Sequence, residues 1–249
     1  MQLMSNLTPM STQSGAAQSI PAWLPPFLVV VPFTAVITGG FNLSEVLPAP
    51  VALMAGAGWG VALGLLVAWL RRYASVRAAL EDLSVAAGVV GVAFAGCGGL
   101  AMLLLLNGAL SAETLTGEAL REMFLPAIPY YIVTNGLLEL LIMPMMLYLG
   151  WRVGRRRIAI VVAAAIYFVM RVWTYLVFVP QRLSWAEGAA AAEVLTTVER
   201  RQAADDLMLH DPRWIVLLAV LALLLVAMHL PASGTRSSHS SEPARDTVG

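Results

Sequence analysis

Two opposite charges lie inside apolar runs long enough to cross a bilayer: Glu139 in "YYIVTNGLLELLIMPMM" and Arg171 in "YFVMRVWTYLVFVP". An ionised side chain at bilayer depth costs several kcal/mol and has to face a partner or a wet cavity. The two runs are joined by one short turn. Glu139 lies eleven residues before Gly150 and Arg171 fourteen after Arg157, a depth mismatch of about 4.5 Å at helical rise. An Arg side chain spans that gap, so the spacing predicts an ion pair between antiparallel neighbours.

Polar neighbours extend the pair into a seam. Tyr131, Asn135 and Glu139 are spaced i, i+4, i+8; Tyr167, Arg171 and Tyr175 repeat that spacing on the next run, with Thr174 beside them. Pro144 has no N–H for the carbonyl of Leu140, which predicts a kink, an unpaired acceptor and a pocket close to Glu139.

The chemistry these residue types offer is proton transfer. Glu139 serves as acid or base, Tyr131 and Tyr175 relay or position protons, and Arg171 holds an anionic group or a developing oxyanion. Asn135, Tyr167, Trp173 and Thr174 are the candidate substrate contacts, with Trp173 read as core packing or as a face stacked on a cation. A carboxylate held by Arg is a poor proton donor, so an enzyme reading requires Arg171 to turn to the substrate. The expected function is action on a lipophilic small molecule, isoprenoid or polyketide in type, by metal-free isomerising or cyclising chemistry. Two other readings stay open. Glu139 could be the proton-coupling carboxylate of a small-solute transporter, or the pair could be the clasp of an accessory subunit.

Other chemistries lack their residues. All fifteen basic residues are Arg, so no Lys Schiff base can form. The single cysteine, Cys97, makes no internal disulfide or C-x-x-C pair. His210, His229 and His239 fall in segments that cannot meet, which leaves no multi-histidine metal site. No phosphate loop or serine-hydrolase elbow is present, and neither a cofactor nor a nucleic-acid partner is expected.

The seam has to be positioned by helices in lipid. Hydrophobic residues make up 59% of the 249-residue chain and charged residues 12%, about half the charge of a soluble domain. The reading is an all-α, polytopic helical membrane protein with six transmembrane helices, over roughly 24–41, 47–70, 83–106, 126–150, 157–180 and 214–230. Residues 1–22 form a flexible tail without a secretory-signal pattern, 23–230 the membrane domain, and 231–249 a disordered cytoplasmic tail. Pro25, Pro26 and Pro32 make the first span the weakest. Arg71, Arg72 and Arg77 after the second span, and Arg152, Arg155, Arg156 and Arg157 after the fourth, place those loops in the cytoplasm. Both termini are then cytoplasmic, the acidic connections at 107–125 and 181–213 lie outside, and the location is the cell membrane.

Small residues line two helix faces: Ala52, Gly56, Gly60, Gly64 and Ala68, then Ala87, Gly91, Ala95 and Gly99. These rows predict tight packing of the second span on the third, or a homo-oligomer interface. Ser184 and Glu187 form a capping-box pattern opening an outer helix, and Leu120, Met123 and Phe124 mark an interfacial helix in "TLTGEALREMF". Trp23, Trp151, Trp185 and Trp214 read as membrane-edge anchors. The stretch from "RVWTYLVFVPQRL" through "HDPRWIVLLAVLALLLVAM" resembles the C-terminal half of the anthrone-oxygenase-like membrane family, where a proline-containing span end precedes a Trp- and Arg-bearing final helix. That resemblance covers under a third of the chain, leans toward an enzyme, and transfers no site residue.

Overall fold

The computed structural model describes residues 24–41, 47–124, 127–151, 154–178, 193–209 and 211–231. The expected tail at 1–22, all but Pro231 of the expected tail at 231–249, and the Ser184–x–x–Glu187 cap lie outside them. The described residues are helical apart from connections and one isolated bridge between Thr116 and Val194.

Helix α1 is Leu24–Phe41, α2 is Ala49–Leu70, α3 is Ala74–Ala109 and α4 is Gly117–Phe124. Ala127–Leu137 continues through a π-helical turn, Leu138–Ile142, into Met143–Leu149, and together these form α5. Arg155–Trp173 ends in a second π turn, Thr174–Phe178, and together they form α6. Thr197–Leu209 is α7 and Arg213–His229 is α8.

Four of these helices are long and apolar enough to cross a membrane: Ala49–Leu70, Val76–Ala109, Pro129–Leu149 and Arg155–Phe178. Pro25–Gly40 and Arg213–His229 are apolar but shorter. Large apolar side chains such as Met54, Leu83, Leu105, Val169 and Leu176 face outward, as a lipid-exposed surface requires.

The helices pair differently from the expectation drawn from their small residues. The α2 row is covered by α1, not by α3. A Cβ on Gly56 would meet the Thr34 carbonyl and the Thr38 side chain, and one on Gly60 would meet the Thr34 hydroxyl. The Thr34 and Thr38 hydroxyls facing those glycines donate to their own helix, to Val30 O and Thr34 O at 3.0 and 2.8 Å, so their protons are satisfied without a partner on α2. On α3, Gly91 lies under Leu138, and Gly88 under Met146 of α5 and Leu224 of α8. A row of small residues states how closely a backbone can be approached, not which helix approaches it.

α3 also begins well before the expected span. Charged residues end a hydropathy window, but they do not end a helix, and α3 carries Glu81 and Asp82 in its interior. Glu81 is buried, so Glu139 is not the only acid inside the bundle.

At the other end of α3 a second apolar cluster forms. Leu103, Leu106, Leu110, Leu115 and Leu120 pack together, with Leu195, Ala203, Ala204 and Trp214 against them. Leu120 of α4 is therefore inside, whereas Met123 is exposed. The capping box of the described outer helix is Thr196–x–x–Glu199. The Thr196 N–H donates to Glu199 Oε2 at 2.7 Å, and the Glu199 N–H to Thr196 Oγ1 at 3.3 Å.

Candidate functional site

The π turn in α5 is the local consequence of Pro144. Proline cannot donate to the carbonyl four residues back, and here the helix widens instead of kinking sharply. The N–H of Met143 reaches back five residues to Leu138 O. The freed carbonyl of Leu140 is not left unpaired, because the indole N–H of Trp59 on α2 donates to it at 2.6 Å. The expected unpaired acceptor is thus taken by a residue from a third helix.

Glu139 sits in that turn with none of its surface exposed. Arg171 on α6 makes an ion pair through Nε with Glu139 Oε1. Tyr167 donates its hydroxyl to the same oxygen at 3.0 Å, and Tyr175 donates to Oε2 at 3.0 Å. Arg171 Nη2 donates to the Tyr175 hydroxyl at 2.8 Å, and the guanidinium lies 4.7 Å from the centroid of that ring. Glu139, Arg171 and Tyr175 close a ring of polar contacts, with Tyr167 attached to it.

Helical periodicity on α6 explains the arrangement. Tyr167 and Arg171 are one turn apart on the buried face of a regular α-helix, and Tyr175 follows in the π turn. Thr174, also buried, bonds back to Met170 O at 2.8 Å and so consumes its hydroxyl within its own helix. Tyr175 reaches its place because Gly40 of α1 has no side chain. A Cβ there would lie 2.5 Å from Tyr175 Cδ2. α1 is therefore a third wall of the site, and sequence spacing contained no sign of it.

The remaining candidates are dispersed. Tyr131 does not join the cluster; its hydroxyl donates to Gly98 O on α3 at 3.3 Å, beside Tyr130, which donates to Phe94 O at 2.6 Å. At 3.6 residues per turn positions i and i+8 are already about 80° apart, and Tyr131 faces α3. Asn135 is buried one turn before Glu139. Trp173 packs near Phe178, with ring centroids 6.3 Å apart, and the aromatic face over Arg171 belongs to Tyr175.

The valences of the cluster are unevenly filled. A carboxylate oxygen accepts two donors. Oε1 has Tyr167 and Arg171, whereas Oε2 has Tyr175 alone among the described residues. Arg171 places the charge of its Nε against Oε1 without a hydrogen bond and donates Nη2 to Tyr175; Nη1 makes no hydrogen bond among the described residues. One acceptor position on Glu139 and the Nη1 donors of Arg171 are the unfilled valences. Among the described residues no three His, Cys, Asp or Glu side chains converge.

Sequence reasoning missed a second buried ion cluster. Arg156 on α6 lies 3.3 Å from Glu81 Oε1 and 2.7 Å from Asp82 Oδ1. Its signal was the acidic pair in "LEDLS" opposite the "RRR" after the fourth span. A third pair, Asp211 and Arg213, closes through two contacts of 2.6 Å, and the Arg213 guanidinium lies 3.2 Å from the Phe178 centroid, tying the start of α8 to the end of α6.

No family model, curated protein or solved structure matches the chain.

Proposed function

We propose that the chain is a multi-pass protein of the cell membrane, with six spans and both termini cytoplasmic. On this reading it acts on a lipophilic small molecule, isoprenoid or polyketide in type, by acid–base chemistry at the Glu139 cluster. The observation that carries it is the uneven loading of the carboxylate: Oε1 takes the Tyr167 hydroxyl and the Arg171 charge, whereas Oε2 accepts from Tyr175 alone among the described residues. A substrate C–H beside an unsaturated or carbonyl group would give its proton to Oε2. The released electron pair would form a new double bond as the old one shifts, and the proton would return at a second carbon, so that the isomerisation balances. Arg171 Nη1 would stabilise negative charge developing on a substrate oxygen. Tyr175, bonded to both Glu139 and Arg171, would keep the carboxylate oriented during transfer.

The test is deuterium exchange. Membranes containing the protein, incubated with a lipid extract in heavy water, should place deuterium in one lipophilic compound, as seen by mass spectrometry. Glu139→Gln should cut that incorporation by about a hundredfold or more while the purified variant stays monodisperse. Equal incorporation by a folded Glu139→Gln variant would overturn the reading.

Proton-coupled transport is the second reading, and the complete enclosure of Glu139 favours it. A carboxylate that releases its Arg partner on protonation is a coupling device. In proteoliposomes this reading expects solute uptake driven by a pH gradient and abolished by Glu139→Gln, with no deuterium entering the solute.

A further inference from the structure

The Arg156 cluster lies at the end of α3 remote from α4 and α7, and none of it belongs to the Glu139 site. Arg156 is buried, and its Nη1 also donates to Leu230 O at 3.2 Å. Its Nη2 is buried too and has no hydrogen-bond partner among the described residues. A donor left in that state costs free energy that an acceptor would recover. Beside it opens a cavity of ≈ 670 Å³, lined among others by Asp82, Leu83, Ala86, Arg156, Met228 and His229. That is the size of a small-molecule site, set between α3, α6 and the end of α8.

We propose that this cavity holds the headgroup of an aminophospholipid, a phosphoethanolamine ester, drawn from the surrounding bilayer. The lining is of three kinds. Arg156 lines the cavity and supplies the guanidinium charge for a phosphate oxygen; its Nη2, buried and without a partner among the described residues, is reached when the guanidinium turns toward that oxygen. Asp82, 62% exposed, engages Arg156 through Oδ1 and supplies a carboxylate for an ammonium group. His229 Nδ1 lies 2.8 Å from Leu225 O and must donate to that carbonyl, which leaves Nε2 as the ring nitrogen available to a ligand. Leu83 and Met228, both largely exposed, continue the cavity onto the apolar flank of the bundle, where acyl chains lie.

This donor and acceptor set selects among headgroups. A bare phosphate or a phosphoglycerol would gain Arg156 but meet Glu81 and Asp82 with no positive charge of its own. Phosphocholine brings the positive charge, but its trimethylated nitrogen has no N–H for Asp82 or His229 to accept. Phosphoethanolamine satisfies both halves.

The experiment uses the full chain, purified and delipidated in detergent, with native mass spectrometry as the readout. Dioleoyl phosphatidylethanolamine, phosphatidylcholine and phosphatidylglycerol are titrated separately, and soluble phosphoethanolamine and inorganic phosphate are added as competitors. The expected result is one retained phosphatidylethanolamine, bound about tenfold more tightly than the other two lipids. Asp82→Asn and His229→Ala, both at exposed positions, should each erode that preference while leaving the protein monodisperse. Equal binding of the three lipids, or a preference that survives both substitutions, overturns the proposal. Full displacement by soluble phosphoethanolamine or by phosphate also overturns it, since the ligand would then be a soluble ester or anion and not a lipid.

Discussion

Breaking the Glu139–Arg171 pair from one side and then from both separates the charge from everything else at the site. Glu139→Gln leaves Arg171, only 7% exposed, without a counter-charge in the bundle. Removing one partner of a buried pair costs about 3–5 kcal/mol. Arg171→Met leaves the carboxylate with Tyr167 and Tyr175 as donors, so its cost should fall at the lower end of the same range. The double variant leaves no charge, and the Gln amide can still pair with both hydroxyls, so it should cost only about 1–2 kcal/mol. The two sites should then be coupled by about 3 kcal/mol or more. The assay is reversible unfolding of the four purified proteins in mixed micelles under a rising fraction of denaturing detergent, analysed as a double-mutant cycle. Effects that add to within about 0.5 kcal/mol would show that the two charges do not sense each other, and the geometry argued above would be refuted. A double variant that is stable yet fails to restore lost activity assigns the pair a working role; one that is both stable and active reduces it to a clasp.

Three further outcomes follow from single contacts. Trp59→Phe strips the Leu140 carbonyl of its only described donor and should destabilise the protein by about 1–3 kcal/mol, seen as a lower midpoint in the same assay. Gly40→Val places atoms where the Tyr175 ring lies; it should cost about 1–3 kcal/mol by overpacking, and Tyr175→Ala should relieve part of that cost. The Glu199 carboxyl is exposed, and its bonds from the Thr196 backbone and hydroxyl hold it below its ordinary value of 4.5. A lowered folded-state value means that the cap stabilises α7 at neutral pH and is lost as pH falls through that value. Hydrogen-exchange protection at the start of α7, measured against the intrinsic rate at each pH, should therefore fall as pH drops below the ordinary carboxyl value of 4.5 in the native chain, and show no such step in Glu199→Gln.

The pairing of Glu139 with Arg171 was legible because both stand in long apolar runs and one short turn fixes their relative depth. The run lengths placed α2, α5, α6 and α8 to within a few residues. Other features depend on quantities that a pattern does not contain. The reach of α3 back to Ala74 was hidden because Glu81 and Asp82 look like the end of a span, although Arg156 neutralises them from another helix. Pro144 announced that a backbone bond would be missing, but whether the helix kinks or widens depends on who takes the Leu140 carbonyl, and Trp59 is eighty-one positions away. The i, i+8 spacing that groups Tyr131 with Glu139 spans about 80° of helix face, enough for Tyr131 to turn to α3 while Glu139 faces α6. Gly40 could not be singled out among twenty glycines until Tyr175 was seen against it.

A clasp and a working site make different demands on the backbone. A clasp is best held by four regular helical turns. Here the cluster is divided: Tyr167 and Arg171 sit on the regular α-helical part of α6, whereas Glu139 and Tyr175 both sit in π turns. π turns are rare, mostly single-turn insertions inside α-helices, and frequently stand at functional sites. Returning Leu138–Ile142 to α-helical register would rotate Glu139 away from Arg171 and release the Leu140 carbonyl from Trp59. The movable half of the cluster is thus the carboxylate and its Tyr175 donor, and the fixed half is the guanidinium. We propose this as an alternative to the expectation that Arg171 turns to the substrate for Glu139 to act. On the reading proposed here the carboxylate departs with the proton, and Arg171 remains behind as the anion site, so substitutions that stiffen the α5 turn should impair turnover more than they impair binding.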